Sequence, residues 1–308
     1  MTTDVVALVK HNGDLSAHSR LETFEKAVNL IGGLGTLRSP FIVKPNIHCS
    51  SALSTTKFSV TSSKMVEAVV SLALKENKGL SIKIVESNSH DKFVDERLWT
   101  QFDYKELEDR LVELGFDVSL VNLSEPPLVN IKHNGQYFKN LELNKLLTEN
   151  GYFVSVAVAK THSVTVITGT LKNLFGILPI KNKFPYHPAD GSVDFNQVLL
   201  DIYGIIRPDL CVMDAIVGLE GIFHGRLRRI NALIVGRNAI SVDATTARLM
   251  GFEPESFRLL VEGEKMGLGT LNPKIVGESL EDMTVKFNQP QNLRPTALVD
   301  RTSPSAIQ

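Results

Sequence analysis

Residues Tyr152–His162 read YFVSVAVAKTH. From Tyr152 to Ala159 the run is continuously apolar or small, rich in valine and without helical spacing, as expected of a strand buried on both faces of a helix-covered parallel sheet. Lys160, Thr161 and His162 then arrive abruptly, so the strand is expected to stop there and deliver them to its carboxyl end.

The same rhythm extends outward in both directions. Toward the N-terminus, the strand patterns Val5–Val9, Phe41–Val43, Ile82–Val85 and Val118–Val121 alternate with helical patterns at Leu21–Leu30, Lys64–Leu74 and Tyr104–Leu114. Toward the C-terminus, strands are expected at Leu210–Met213, Ala232–Val235 and Met283–Phe287, with helices near Phe195–Ile206, Ser241–Leu249 and Glu255–Met266. Such alternation predicts an α/β fold: a mostly parallel, Rossmann-like sheet with helices on both faces. Pro126-Pro127 breaks the rhythm, and Asn134-Gly135 between apolar positions predicts an inserted β-hairpin with a two-residue turn. Residues 1–288 would form one α/β domain, or two intimate lobes divided near 125–150, with 289–308 as a flexible tail. The segment Ile180–Ser192, with two prolines and a glycine, is expected to be a loop.

Composition removes several classes of function. With 33 basic and 34 acidic residues in 308, the chain generates no global field for nucleic acid or an anionic membrane. Two cysteines, Cys49 and Cys211, are too few for a disulfide framework or for the four thiolates of an iron–sulfur cluster, so no such cluster is expected in this chain. The N-terminus lacks the order of a signal peptide, and no apolar run approaches the ~20 residues of a membrane span. A cytoplasmic protein is the expectation. GxSxG, HExxH, CxxC and EF-hand patterns are all missing, which leaves acid/base chemistry or metal assistance.

In open parallel sheets, ligands bind beyond the carboxyl ends of the strands. Phe41–Val43 is followed by Lys44 and Asn46, Ile82–Val85 by Glu86, Tyr152–Ala159 by Lys160 and His162, and Leu210–Met213 by Asp214 and the glycine-bearing loop VGLEGIFHG. Lys44, Lys160, His162 and Asp214 are therefore expected to surround one pocket. Two lysines, an amide, a carboxylate and a histidine at one rim suit a small anionic ligand, with histidine near its unperturbed pKa of about 6.5 for proton transfer. Residues 160–187 are densest in such groups, adding Lys172, Asn173 and His187, while Arg226, Arg228 and Arg229 form the main basic cluster. Asp243 is read as favouring the N-terminus of its own helix.

The stretches KPNI at Lys44–Ile47, AKTHSVTVITGTLKNLFGILP at Ala159–Pro179, MDAIVGLEG at Met213–Gly221 and SVDATTARLMG at Ser241–Gly251 resemble, in order and across most of the chain, the family catalogued as domain of unknown function 362. Many members of that family carry ferredoxin-type cysteine motifs, so the resemblance implies a separate iron–sulfur protein as partner where this chain has none. A more distant resemblance is to the nickel-pincer lactate racemases, whose histidine, cofactor-bearing lysine and nickel-binding histidine have the order and approximate spacing of His162, Lys172 and His187. Their glycine run before the lysine is replaced here by Thr168–Leu171.

Three functions follow. The first is proton transfer beside a carboxylate or carbonyl, of isomerase, epimerase or lyase type: His162, Lys160 and Lys172 do the chemistry, while Lys44, Asn46, Glu86, Asn173 and Arg226 hold the anion. The second is a non-catalytic ligand-binding or electron-transfer partner subunit. The third is a divalent-metal enzyme using His187, Asp214, Glu220 or His224, a mixed N/O set that selects no particular metal. A homo-oligomer is compatible with all three.

Overall fold

The computed structural model describes residues 4–47, 56–89, 92–186 and 192–299. The chain runs β1 (Val5–Lys10), α1 (Ala17–Leu30), β2 (Phe41–Pro45), α2 (Ser63–Glu76), β3 (Ile82–Glu86), α3 (Glu96–Gln101), α4 (Tyr104–Glu113), β4 (Val118–Asn122), β5 (Leu128–Lys132), β6 (Asn140–Asn144), β7 (Tyr152–His162) and β8 (Val166–Thr168). It continues through α5 (Thr170–Asn173), α6 (Ile180–Lys183), α7 (Phe195–Ile205), β9 (Leu210–Glu220), β10 (Arg226–Gly236), α8 (Ala239–Leu249), α9 (Arg258–Lys265), β11 (Lys274–Gly277) and α10 (Leu280–Met283).

The nine-stranded sheet has the order β11-β1-β10-β9-β7-β2-β3-β4, with β8 paired to β7. From β9 to β4 every neighbouring pair is parallel, and β1 with β11 is parallel too; β10 enters antiparallel between β9 and β1. The sheet is the mostly parallel α/β architecture that the alternation of patterns implies, and β5 and β6 form a separate antiparallel hairpin.

Strand alternation divides the core in two. Ile42, Phe153, Ala157, Met213 and Ile234 pack under α7, α8 and α9. Phe41, Val43, Val154, Val156 and Val212 pack under α1, α2 and α4. Helix starts are capped as their sequences suggest: Ser16 accepts from Ser19 N, Ser62 from Lys64 N, and Asn238 from Ile240 N and Ser241 N.

Several local expectations need correction. Leu210–Met213 and Ala232–Val235 are parts of much longer strands, β9 and β10, joined in a hairpin whose turn is only Gly221–Gly225. Val217, Gly218, Leu219 and Glu220, which read as the start of a loop, are strand residues because cross-strand pairing supplies what propensity does not. Asn134-Gly135 is not a two-residue turn, since β5 ends at Lys132 and β6 begins at Asn140. Asp201 of α7 accepts the N–H groups of Tyr137 and Phe138, so a distant carboxylate shapes that connection. No strand forms at Met283–Phe287; one edge of the sheet is β11, a short segment after Pro273 that pairs parallel to β1. The loop expected at Ile180–Ser192 begins with a turn of α-helix at Ile180–Lys183 and a 3-10 turn at Phe184–Tyr186. Beyond Gln289 the chain stays attached as far as Val299: Arg294 N donates to Ser163 O and Val299 N to Ser256 O.

Candidate functional site

At the carboxyl ends of β2 and β3, a buried ion cluster forms around one carboxylate. Lys44 continues Ile42 on the α7–α8 face of β2, and Glu86 is the last residue of β3. Lys44 Nζ donates to Glu86 Oε2 at 2.9 Å and to Pro45 O at 2.5 Å. Lys92 Nζ lies 3.4 Å from Glu86 Oε1 and donates to Ile47 O at 2.7 Å. Backbone N–H groups of Ile47 and Ser87 complete the shell around Glu86. Lys183 of α6 donates to Ser87 Oγ at 2.6 Å and to Asn88 O at 2.5 Å, and contributes to the field at Glu86.

The amides form the other wall. Asn173, at the end of α5, donates through Nδ2 to Lys44 O at 3.0 Å and to Ser155 Oγ at 3.1 Å, and its Oδ1 is 3.5 Å from Asn46 Nδ2. Asn46 Oδ1 is buried with no hydrogen-bond partner among the described residues. Gly176 lets the next turn close over the cluster, because a Cβ there would come within 2.7 Å of Lys44 Cε and 2.8 Å of its Nζ. Thr170–Asn173 is anchored from α8: Asp243 Oδ1 accepts Thr170 N at 2.6 Å and Thr170 Oγ1 at 2.7 Å, and Oδ2 accepts Leu171 N at 3.0 Å. Asp243 thus caps α5 and not its own helix, within which it lies. Its burial pushes the carboxyl up to about 6, against the pull of the Leu171 and Thr170 donors.

The electrostatics are lopsided. Among the described residues, Lys44, Lys92, Lys172 and Lys183 share a field with one carboxylate, that of Glu86. Burial alone would raise the Glu86 carboxyl, but Lys44, Lys92 and Lys183 hold it down at about 2. Burial depresses Lys44 and Lys183 below the ordinary lysine range, and Lys92 adds to the effect on both. Lys172 is pushed down to about 8, by burial first and then by Lys44 and Lys92. Among the described residues it makes no hydrogen bond or ion pair, so its amine is uncommitted.

Five sequence-selected residues, Lys44, Asn46, Glu86, Lys172 and Asn173, therefore meet. The single pocket expected around Lys44, Lys160, His162 and Asp214 does not form. Because β7 and β9 run on past Ala159 and Met213, Lys160 and Asp214 are strand residues and point to the α1–α2 face with Val156 and Val212. Lys160 is spent on backbone, donating to Ser59 O at 2.6 Å and Ile222 O at 3.2 Å. Asp214 pairs with Arg20 at 2.5 Å. His162 follows Lys160 on the same side of β7 and accepts Val164 N at Nδ1. Arg226 and His224 are exposed at the β9–β10 hairpin, and Glu220 is held by Arg228 and Asn288. His187 and Cys49 lie outside the described residues. Lys183 falls in the dense stretch 160–187 but received no role there, and Lys92 and Arg20 escaped the sequence reading because each follows no strand and looks like an ordinary solvated charge.

A family model described as domain of unknown function (DUF362) matches residues 42–248. The chain belongs to the DUF362 family. The matched span contains the whole lysine cluster. A thylakoid-associated protein of Synechocystis sp. (strain PCC 6803) is 25% identical over 184 residues, covering 56% of this chain, which spans about half (54%) of that relative. Among solved structures, the lactate racemase apoprotein from Thermoanaerobacterium thermosaccharolyticum superposes with a TM-score of 0.51 at 13% identity, over 75% of this DUF362 chain and 53% of the racemase chain. At that identity the likeness is one of fold. No helix among the described residues is long and apolar enough to cross a membrane.

A nickel-pincer group tethered to Lys172 does not fit the described donors. Its neighbours would be ammonium groups, Glu86 is engaged by Lys44 and Lys92, and His162 Nδ1 is taken by Val164. Among the described residues, no group of three or more His, Cys, Asp or Glu side chains gathers to hold a metal.

Proposed function

We propose that the lysine cluster is the active site of an enzyme that binds a small organic anion and moves a proton beside its carboxylate or carbonyl, as in isomerisation, epimerisation or elimination. The observation that carries this reading is the excess, among the described residues, of buried ammonium groups over the single Glu86 carboxylate, with Lys172 uncommitted. Uncompensated buried charge costs several kcal/mol per ion, so an entering anion would gain what the lysines forgo by themselves. Lys44, Lys92 and Lys183 would neutralise the carboxylate, and Asn46 and Asn173 would orient it. Lys172, with an amine held near 8, would be the proton carrier, because a base works best when its pKa lies near the working pH. It takes the role that spacing suggested for His162, which lies on the Lys160 side of β7. The racemase-like fold is consistent with such chemistry.

The test is a thermal-shift screen of 2-hydroxy, 2-oxo and dicarboxylic acids on the full chain, followed by NMR detection of solvent deuterium entering the carbon next to the carboxylate. A binding acid should exchange, and the rate should rise with pH through about 8 as Lys172 loses its proton, while affinity falls over the same range. Lys172→Gln should slow exchange by roughly 10²–10⁴-fold. Exchange that survives in Lys172→Gln, or a folded protein that binds none of these acids, would overturn the proposal.

A further inference from the structure

On the opposite, α1–α2 face of the sheet lies a cavity of about 360 Å³ that the lysine cluster does not use. Its volume falls in the ~300–1,000 Å³ range of small-molecule pockets. The floor is a buried ion pair. Arg20 of α1 is 5% exposed and Asp214 of β9 is 4% exposed, and Arg20 Nη1 donates to Asp214 Oδ2 at 2.5 Å. Asp214 is further tied by the N–H of Ile216 to its Oδ1 at 3.2 Å.

The guanidinium is only half engaged. A guanidinium offers two forked edges to planar anions, Nη1–Nη2 and Nε–Nη2. Arg20 spends Nη1 on Asp214, while Nε is buried with no hydrogen-bond partner among the described residues. A buried donor left unpaired costs about 1–3 kcal/mol, which makes it a feature in need of a partner. The surroundings favour an anion there. Lys57 and Lys64 stand at the rim, and Thr61–Ser63 brings the N-terminus of α2, a helix of 14 residues, into the lining. Among the described residues, Asp103 is the only other carboxylate in the lining. Apart from Gln101, the remaining wall is apolar: Leu15, Phe58, Val60, Phe102, Val158 and Val217.

We propose that this cavity is a second small-molecule site, one that takes an amphiphilic monocarboxylate. The acid group would sit on the Nε–Nη2 edge of Arg20 near Lys57 and Lys64, and an aryl or branched body would fill the space lined by Phe58, Phe102 and Val217. Asp214 holds the guanidinium through Nη1 and leaves Nε without a partner among the described residues. The two sites have a wall in common, since Thr61 lines the cavity while its Oγ1 accepts the N–H of Asn46 at 2.9 Å.

The experiment uses 3-phenylpropionate, its neutral counterpart 3-phenylpropanol, and inorganic phosphate as probes, with affinities measured by calorimetry on the full chain. The acid should bind roughly tenfold to hundredfold more tightly than the alcohol, the range expected for a charge-assisted hydrogen bond, and phosphate should not match the acid. Arg20→Met alone would leave Asp214 buried and unpaired, so the pair is replaced together as Arg20→Met with Asp214→Leu, a change that well-packed apolar groups can absorb. The folded double variant should lose the preference for acid over alcohol, and Lys57→Gln with Lys64→Gln should weaken acid binding severalfold. Lys172→Gln should leave it unchanged, because that residue belongs to the other site. The proposal is overturned if acid and alcohol bind alike, if phosphate binds as well as the acid, if the acid fails to bind, if the double variant keeps the preference, or if Lys172→Gln abolishes binding.

Discussion

The two faces of the sheet treat buried charge in opposite ways. On the α1–α2 face, Arg20 and Asp214 form a balanced pair, one cation to one anion, at the floor of a cavity. On the α7–α8 face, Lys44, Lys92, Lys172 and Lys183 surround Glu86 with cations in excess among the described residues. A balanced pair can be exchanged for apolar side chains with little loss, whereas an unbalanced cluster depends on its minority charge. The difference marks which of the two sites would gain more from an incoming anion.

The sharpest way to break this comparison is to remove the minority charge. Glu86→Gln would leave the ammonium groups with no carboxylate among the described residues, and should cost about 3–5 kcal/mol at neutral pH by urea denaturation, with part of the loss recovered in added sulfate. An unchanged urea midpoint would mean that the lysines do not carry their charges in the folded protein. A smaller effect is expected across the sheet. Asp214→Ala should cost about 1–3 kcal/mol, because the stranded Arg20 guanidinium lines a cavity that water can enter. A loss as large as that of Glu86→Gln would erase the distinction between the faces. The smallest effect should come from Lys183→Met, which removes one like charge and keeps most of an apolar stem. Its stability should stay within about 1 kcal/mol of the parent, since relief of repulsion by Lys92 offsets the lost bonds to Ser87 and Asn88. A large loss would show that Lys183 holds the turn at Phe184–Tyr186 in place.

What was legible in the sequence was local and periodic. Valine-rich runs located β2, β3 and β7 to within a few residues, and their alternation with helical patterns predicted the parallel sheet. The rule that parallel strands deliver polar groups at their carboxyl ends was enough to nominate Lys44, Asn46 and Glu86, and the dense stretch after β7 contributed Lys172 and Asn173. Two further features depended on where strands truly end. Because β7 and β9 extend past the apolar runs that announced them, alternation sends Lys160 and Asp214 to the other face, and no local pattern records how far pairing with a neighbour will prolong a strand.

By itself, then, the sequence determined the fold class and the residue types at the strand ends, because backbone periodicity and turn chemistry act over a few residues. Tertiary structure alone decided the company each charge keeps. Glu86 meets Lys183 from far along the chain, Asp214 meets Arg20 across 194 positions, and Asp243 caps a helix 73 residues away. In sequence these lysines, arginines and aspartates are indistinguishable from solvated surface charges. Only burial, which strips away water and raises the cost of every unmatched ion, turns them into sites.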